Sequence, residues 1–253
     1  MATLHVIATP IGNLEDITHR AVRILGQVQA IACEDTRRTR ILLSRFEIHA
    51  PRTLLSYREA TEGHGGSRIL GLLGDGVDVG LVSDAGYPGI SDAGYRIISA
   101  AIEAGHRVEV VPGAGAVTPA LLSSGLPTSS FTFKGFPPRK PGPLRRFLEM
   151  EKDLPHTLVF YESPMRVAKF LSAVREALGD RKVAVCFELT KKFERVLRGF
   201  AGELAAQLAG KDLKGEVTVV VAGANPKFSN LDGGGDGAGA EDECGDGAGT
   251  EDD

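Results

Sequence analysis

The sequence predicts an α/β protein of two domains, with mostly parallel sheets and flanking helices. Three observations predict it. Short β-branched or apolar runs alternate with helix-length amphipathic segments along the chain. Glycine-rich segments follow directly on several of the runs. The Pro-rich segment KGFPPRKPGP (134–143) then interrupts the alternation.

The elements follow in order. The run LHVIAT (4–9) leads through TPIGNLEDIT (9–18) into a helix over 18–28. AIACE (30–34) precedes CEDTRRTR and a helix over 36–45, with Asp35 or Thr36 suited to cap it. A helix over 67–73 leads to VDVGLVS (77–83), the loop SDAGYPGISDAG (83–94) and a helix over 92–104. VEVVP (108–112) passes through PGAGAVTPA (112–120) into a helix over 117–124. The domain change is expected here, giving residues 1–116 and 117–228. TLVFYE (157–162), KVAVCF (182–187) and EVTVVVAG (216–223) then alternate with helices over 164–178 and 201–209.

Composition narrows the class. With 42% hydrophobic residues over 253, the chain can bury a sizeable core. "MATLHVIATP" reads as an immediate first strand rather than a leader, and no apolar run approaches the roughly 18 residues needed to span a bilayer. Three distant cysteines (Cys33, Cys186, Cys244) and six scattered histidines show no disulfide or metal spacing, which predicts no metal and a reducing cytoplasm. The net charge of −4 conceals an asymmetry: residues 229–253 hold nine acidic side chains and no basic one, so residues 1–228 carry +5. That Gly-rich tail repeats itself (GDGAGAEDEC, GDGAGTEDD) and predicts disorder.

Three glycine-rich loops at the carboxyl ends of strands mark a ligand crevice. They are not phosphate loops. There is no G-x-x-x-x-G-K-[ST] and no G-x-S-x-G; in PGAGAVT, Thr118 stands where a dinucleotide fingerprint needs its third glycine. Asp84 and Asp92 would repel a phosphate and suit a ligand with hydroxyls, amines or positive charge. S-adenosylmethionine carries all three, although Asp92 could equally cap the next helix.

The ordered series VIATPIGNLEDIT, CEDTRRTRILL, VSDAGYPGISDAG, VPGAGAVTPALLSSGLP, FTFKGFPPRK, TLVFYESPMR, ELTKKFE and GEVTVVVAG resembles the small-subunit (16S) ribosomal RNA (cytidine-2′-O)-methyltransferases of the tetrapyrrole-methylase superfamily. The resemblance spans residues 3–223. It implies a tetrapyrrole-methylase-like fold, a donor (S-adenosylmethionine) in the interdomain cleft, a homodimer, and methylation of a cytidine ribose in the small ribosomal subunit. By motif match it implies donor-pocket residues Pro10, Asp84, Gly86, Tyr87, Ile90, Gly115, Ala116 and Tyr161. It likewise implies catalytic groups among Lys191, Glu34, Asp35 and Glu188, with Glu162 a further carboxylate. Three positions depart from the usual pattern: Tyr87 replaces threonine in SDAGTP, Gly115 replaces serine in PGPSA, and Met165 stands where YE-x-x-H-R often has histidine.

Basic groups point to an anionic partner. Arg37, Arg38 and Arg40 open a helix, with Arg37 and Arg40 on one face. Arg139, Lys140, Arg145 and Arg146 form a second group and Lys191, Lys192 and Arg195 a third. Phe133, Phe136 and Tyr161 could stack on an unpaired base or belong to a core. Two alternatives remain at this stage: a tetrapyrrole C-methyltransferase and a non-catalytic rRNA-binding assembly factor.

Overall fold

Strand residues that are apolar on both faces belong between two layers of helices, and the first half of the chain follows this rule. The computed structural model describes residues 2–58 and 62–230. Its first sheet comprises β1 (Thr3–Ile7), β2 (Ala30–Cys33), β3 (Thr53–Ser56), β4 (Val79–Val82) and β5 (Arg107–Val111), ordered β3-β2-β4-β1-β5. Every pairing in it is parallel. The period of two along each strand sorts side chains to opposite faces. Leu4, Val6, Ala30, Ala32, Val79 and Leu81 pack with Ile69, Leu73 and Ile97 of helices α3 (Glu62–Gly74) and α4 (Tyr95–Glu103). Ile7, Ile31, Cys33 and Val82 pack with Ile24, Leu25 and Leu43 of α1 (His19–Leu25) and α2 (Thr36–Arg45).

The second sheet joins β6 (Phe131–Phe133), β7 (Thr157–Glu162), β8 (Lys182–Phe187), β9 (Arg195–Phe200) and β10 (Val217–Val221) in the order β6-β7-β10-β8-β9. Here the expectation of parallel pairing fails for most of the sheet. β6 and β7 are parallel, but β10 runs antiparallel to β7 and β8, and β8 antiparallel to β9. The cause is the connection: residues 188–194 between β8 and β9 are too few for a parallel crossover, which needs about a dozen.

One face of this sheet carries large side chains, among them Phe160, Val185, Phe187 and Val219. They pack on α7 (Val167–Leu178) and α8 (Ala201–Leu208), with Leu144 and Leu148 of α6 (Pro141–Glu149). The other face is built of smaller groups, Val159, Ala184, Cys186, Val220 and Ala222. Helix α5 (Val117–Ser124) covers it, and Ile11, from the loop after β1, joins the same cluster. The two sheets therefore meet through the first sheet's loops. Cys33 and Cys186 are buried free thiols.

All seven expected strands and seven expected helices form, within a few residues of their expected ends. Among the described residues the sequence reading missed β3, β6, β9 and α6. The tail was expected from residue 229. Ser229 instead bridges to Arg181, and the Asn230 amide donates to the Asp180 carbonyl at 2.8 Å. The rest of the tail lies outside the described residues.

Candidate active site

A parallel sheet presents all its carboxyl ends at one edge, so the loops after β2, β4, β1 and β5 stand side by side in that order. Hydrogen bonds lock them together. Thr9 and Gly86 exchange backbone bonds of 2.9 and 3.0 Å, tying the TPIGN loop to SDAGYP. The Asp84 carboxylate accepts the Asp35 amide at 3.2 Å on Oδ1 and the Arg38 guanidinium at 2.9 Å on Oδ2, tying SDAGYP to EDTR. The Tyr87 hydroxyl accepts the Gly113 amide at 2.9 Å and donates to the Gly113 carbonyl at 3.3 Å, tying SDAGYP to PGAGA.

Two departures from the motif pattern meet here. A Cβ at Gly115 would stand 3.4 Å from the Tyr87 ring, so the tyrosine lies over the backbone that glycine leaves bare. Tyr87→Phe keeps the ring and deletes both hydrogen bonds. It is expected to cost about 1 kcal/mol of stability, read as a fall in the denaturant midpoint at unchanged m-value.

Between these loops and the second sheet lies a cleft of about 1200 Å³. Its apolar walls include Ile11, Ile90, Val117 and Leu189, and its aromatic rim Phe133, Phe136 and Tyr161. Glu34, Asp84, Asp92, Glu162 and Glu216 make it strongly acidic. A side pocket of about 280 Å³ extends it past Asp35 and Ser91.

Glu34 is strongly perturbed. Burial, then the neighbouring Asp92 and Asp84, raise its pKa to about 7. Its Oε1 is buried and has no hydrogen-bond partner. Asp92 faces the cleft, and desolvation by the surrounding walls, then Asp84 and Glu216, raise it to about 6. It does not cap the following helix, whose N-cap is Gly94 with no side-chain bond. Glu162, fully enclosed at its side chain, is also raised, chiefly by burial. The Tyr161 hydroxyl is pushed to about 12 by the same cause, so it stays protonated.

The ELTK turn closes the cleft from the second sheet. The Asn13 amide donates to Thr190 Oγ1 at 3.2 Å, and the Lys191 stem crosses Gly12, where a Cβ would come within 2.3 Å of Lys191 Cγ. Lys191 Nζ bonds Glu188 Oε1 and Glu216 Oε2, both at 2.9 Å. Burial lowers its pKa, but the two carboxylates outweigh that and raise it, so Lys191 is a held cation at neutral pH. Glu188 is lowered because the Lys191 ammonium and the Glu216 amide outweigh its burial.

The cleft thus gathers Asp84, Gly86, Tyr87, Ile90, Gly115, Ala116 and Tyr161 from the expected donor pocket, and Glu34 from the expected catalytic groups. Pro10 is buried and outside the cleft lining. Asp35 lines only the side pocket, where its side chain accepts the Arg37 amide at 2.8 Å as the α2 cap. Lys191 and Glu188 stand behind the wall that Thr190 and Glu216 present. Of the basic residues, Arg38 reaches the cleft; Arg37, Arg40, Arg139, Lys140, Arg145 and Arg146 are exposed outside it. Arg37 pairs with Asp35 and Arg145 with Glu149.

Sequence reasoning missed Ile11 and Glu216. The detectable signal for Glu216 was a lone acid opening an otherwise apolar run. Among the described residues no group of three or more His, Cys, Asp or Glu could hold a metal, and no helix is long and apolar enough to cross a membrane.

Comparison with known proteins places this geometry. The Tetrapyrrole (Corrin/Porphyrin) Methylases family matches residues 3–205. A protein of Halalkalibacterium halodurans named ribosomal RNA small subunit methyltransferase I is 45% identical, over 89% of this chain and 77% of its own length. A Mesorhizobium japonicum protein of the same name is 46% identical, over 88% and 76%. A uroporphyrin-III C-methyltransferase of Thermus thermophilus, solved with S-adenyl homocysteine, shares the fold at TM-score 0.58 and 21% identity. That match covers 87% of this chain and 97% of the other.

Proposed function

Because the chain belongs to the tetrapyrrole methylase family, and within it groups with the ribosomal RNA small subunit methyltransferases I, we propose that it transfers a methyl group from S-adenosylmethionine to the ribose 2′-hydroxyl of a cytidine in 16S ribosomal RNA. It is a methyltransferase, and its substrate class is ribosomal RNA. The observation that carries the assignment of the site is the acidic, loop-bounded cleft, in which buried carboxylate oxygens of Asp16, Glu34 and Glu162 have no hydrogen-bond partner.

The residues present fit the donor. Its size suits a cleft of about 1200 Å³, its charge suits Asp92 and Glu216, and its apolar parts suit Ile11, Ile90 and Val117. When bound, S-adenosylmethionine supplies an electrophilic methyl group on a positively charged sulfur. Tyr87 and the backbone of Gly113–Ala116 shape the pocket floor, and Asp84 sets the spacing of SDAGYP from EDTR. The carboxylates exclude anions from the donor side.

Methylating a hydroxyl requires that its proton leave. Glu34 has the matched properties: it lines the cleft, its buried Oε1 is engaged by no hydrogen bond, and its pKa lies near working pH. Lys191, held protonated, acts as the clamp that sets ELTK against Gly12 and does not accept a proton. Alignment of the reacting groups, worth roughly 7–11 kcal/mol in favourable intramolecular cases, falls to the loops and the clamp.

The two-domain division at 116/117, a homodimer and a cytoplasmic location are parts of the same proposal. The first is supported by the two sheets, and the last by the location of ribosomal RNA. Sedimentation of the purified chain tests the dimer. Mass spectrometry of 16S rRNA from cells lacking and carrying the protein tests the activity. One cytidine ribose should gain 14 mass units (one CH₂, by atomic composition, ~14 Da). No added ribose methyl, or methylation of a porphyrinogen instead, would overturn the assignment.

A further inference from the structure

The Pro-rich segment is the part of the cleft rim that the donor reading does not use. Its residues are held unusually firmly for a loop. The Lys134 amide donates to the Val159 carbonyl at 2.9 Å, and the Tyr161 amide to the Gly135 carbonyl at 3.0 Å. Arg166 Nη2 donates to the Pro138 carbonyl at 3.1 Å and reaches the Pro137 carbonyl at 3.4 Å. The same guanidinium lies 3.3 Å from Glu162 Oε2, on a carboxylate whose side chain is wholly enclosed. A buried acid thus fixes an arginine, and the arginine fixes the turn.

This braced turn displays Phe136. Its side chain lines the cleft and is 60% exposed. The ring is backed edge-on by Tyr161 at 5.5 Å, and Tyr161 by Phe133 at 4.8 Å. Arg139 and Lys140 follow immediately, both exposed and neither in an ion pair among the described residues. An uncovered flat ring, rigidly mounted beside two unpaired cations, is the combination that holds single-stranded nucleic acid: the ring takes a base and the cations take phosphates.

The geometry points to Phe136 as a stacking platform for an unpaired base of the RNA substrate at the mouth of the cleft, with Arg166 as the positioning residue that fixes it. This inference rests on the methyltransferase reading for its RNA partner. It explains how a ribose can enter the cleft: its own base, or the one beside it, must leave the stack and be received elsewhere.

The test separates RNA from donor. Phe136→Ala should raise the KM for the small ribosomal subunit by roughly 5- to 100-fold, the loss expected for one base–aromatic stack. The Kd for S-adenosylmethionine, measured by calorimetry, should not change. Phe136→Trp should restore the KM, and Arg166→Lys, which shortens the side chain whose Nη2 meets Glu162 and the proline carbonyls, should raise it in part. Binding of a short cytidine-containing single-stranded RNA should weaken with Phe136→Ala in parallel. An unchanged RNA KM, or a donor Kd raised as much as the RNA KM, would overturn the inference. If the wild-type chain binds that RNA through Phe136 but transfers no methyl group, the function proposed above fails and the platform stands.

Discussion

Glu34→Gln should lower methyl transfer by about 10²- to 10⁴-fold, the usual range for removing a general base, and leave donor binding within a few-fold of wild type. The substitution keeps the shape of the side chain near Asp84 and Asp92, and removes its negative charge together with its ability to take a proton. In the wild type, transfer should rise with pH through about 7, because burial and then Asp92 and Asp84 hold the Glu34 carboxyl protonated below that point. That limb should vanish in the variant. Stability provides a second readout. A carboxyl whose folded pKa is raised from 4.5 to about 7 binds more protons when folded. Its presence therefore destabilises the fold progressively from about pH 4.5 to 7, and that cost persists above 7. Glu34→Gln should melt higher than wild type at pH 8, with the gap closing as pH falls towards 4.5. Full transfer by the variant, or a pH limb that survives it, would remove Glu34 from the mechanism.

Asp84→Ala should weaken both donor binding and transfer, by on the order of 10- to 100-fold, as expected when a charge-assisted hydrogen bond of about 1.5–3 kcal/mol is lost. The carboxylate holds the Asp35 amide and Arg38 at once, so its removal frees the EDTR loop from the SDAGYP loop. Asp84→Asn can still accept from the amide and should be milder. It carries a distinctive signature: Asp84 is one of the charges that raise Glu34, so the pH limb should move to lower pH. Donor titration by calorimetry and pH–rate profiles of both variants decide the matter. Unaltered donor affinity in Asp84→Ala would show that the loops keep their spacing without it.

The alternation of apolar runs and amphipathic segments made four of the first sheet's five strands legible, β2 and β4 most clearly because they are buried along their whole length. β3, the short TLLS at the edge, was missed. The second sheet was harder for reasons visible in its residues. β6 is only FTF, too short for any period. β9, RVLRGF, carries two arginines on a partly exposed strand at the sheet edge, which dilutes its apolar character. Helix α6 starts on PGPL, and prolines that read as loop are tolerated in a helix's first turn.

The site was legible through its motifs and less so through its roles. Side-chain direction separated Glu34, which lines the cleft, from Asp35, which caps α2, although the two are adjacent in sequence. Spacing could not show that Lys191 is neutralised by Glu188 and Glu216, since Glu216 comes from the start of another strand.

The contact between Tyr87 and Gly115 joins two positions that stand 28 residues apart in the chain. The aromatic ring occupies the space over a backbone that carries no side chain, so the acceptability of either residue depends on what stands at the other. The two differences from the common motifs thus touch one another, and a larger side chain at 115 would rest directly on the Tyr87 ring. A double-mutant cycle over Tyr87 and Gly115 would read any coupling between them as non-additivity.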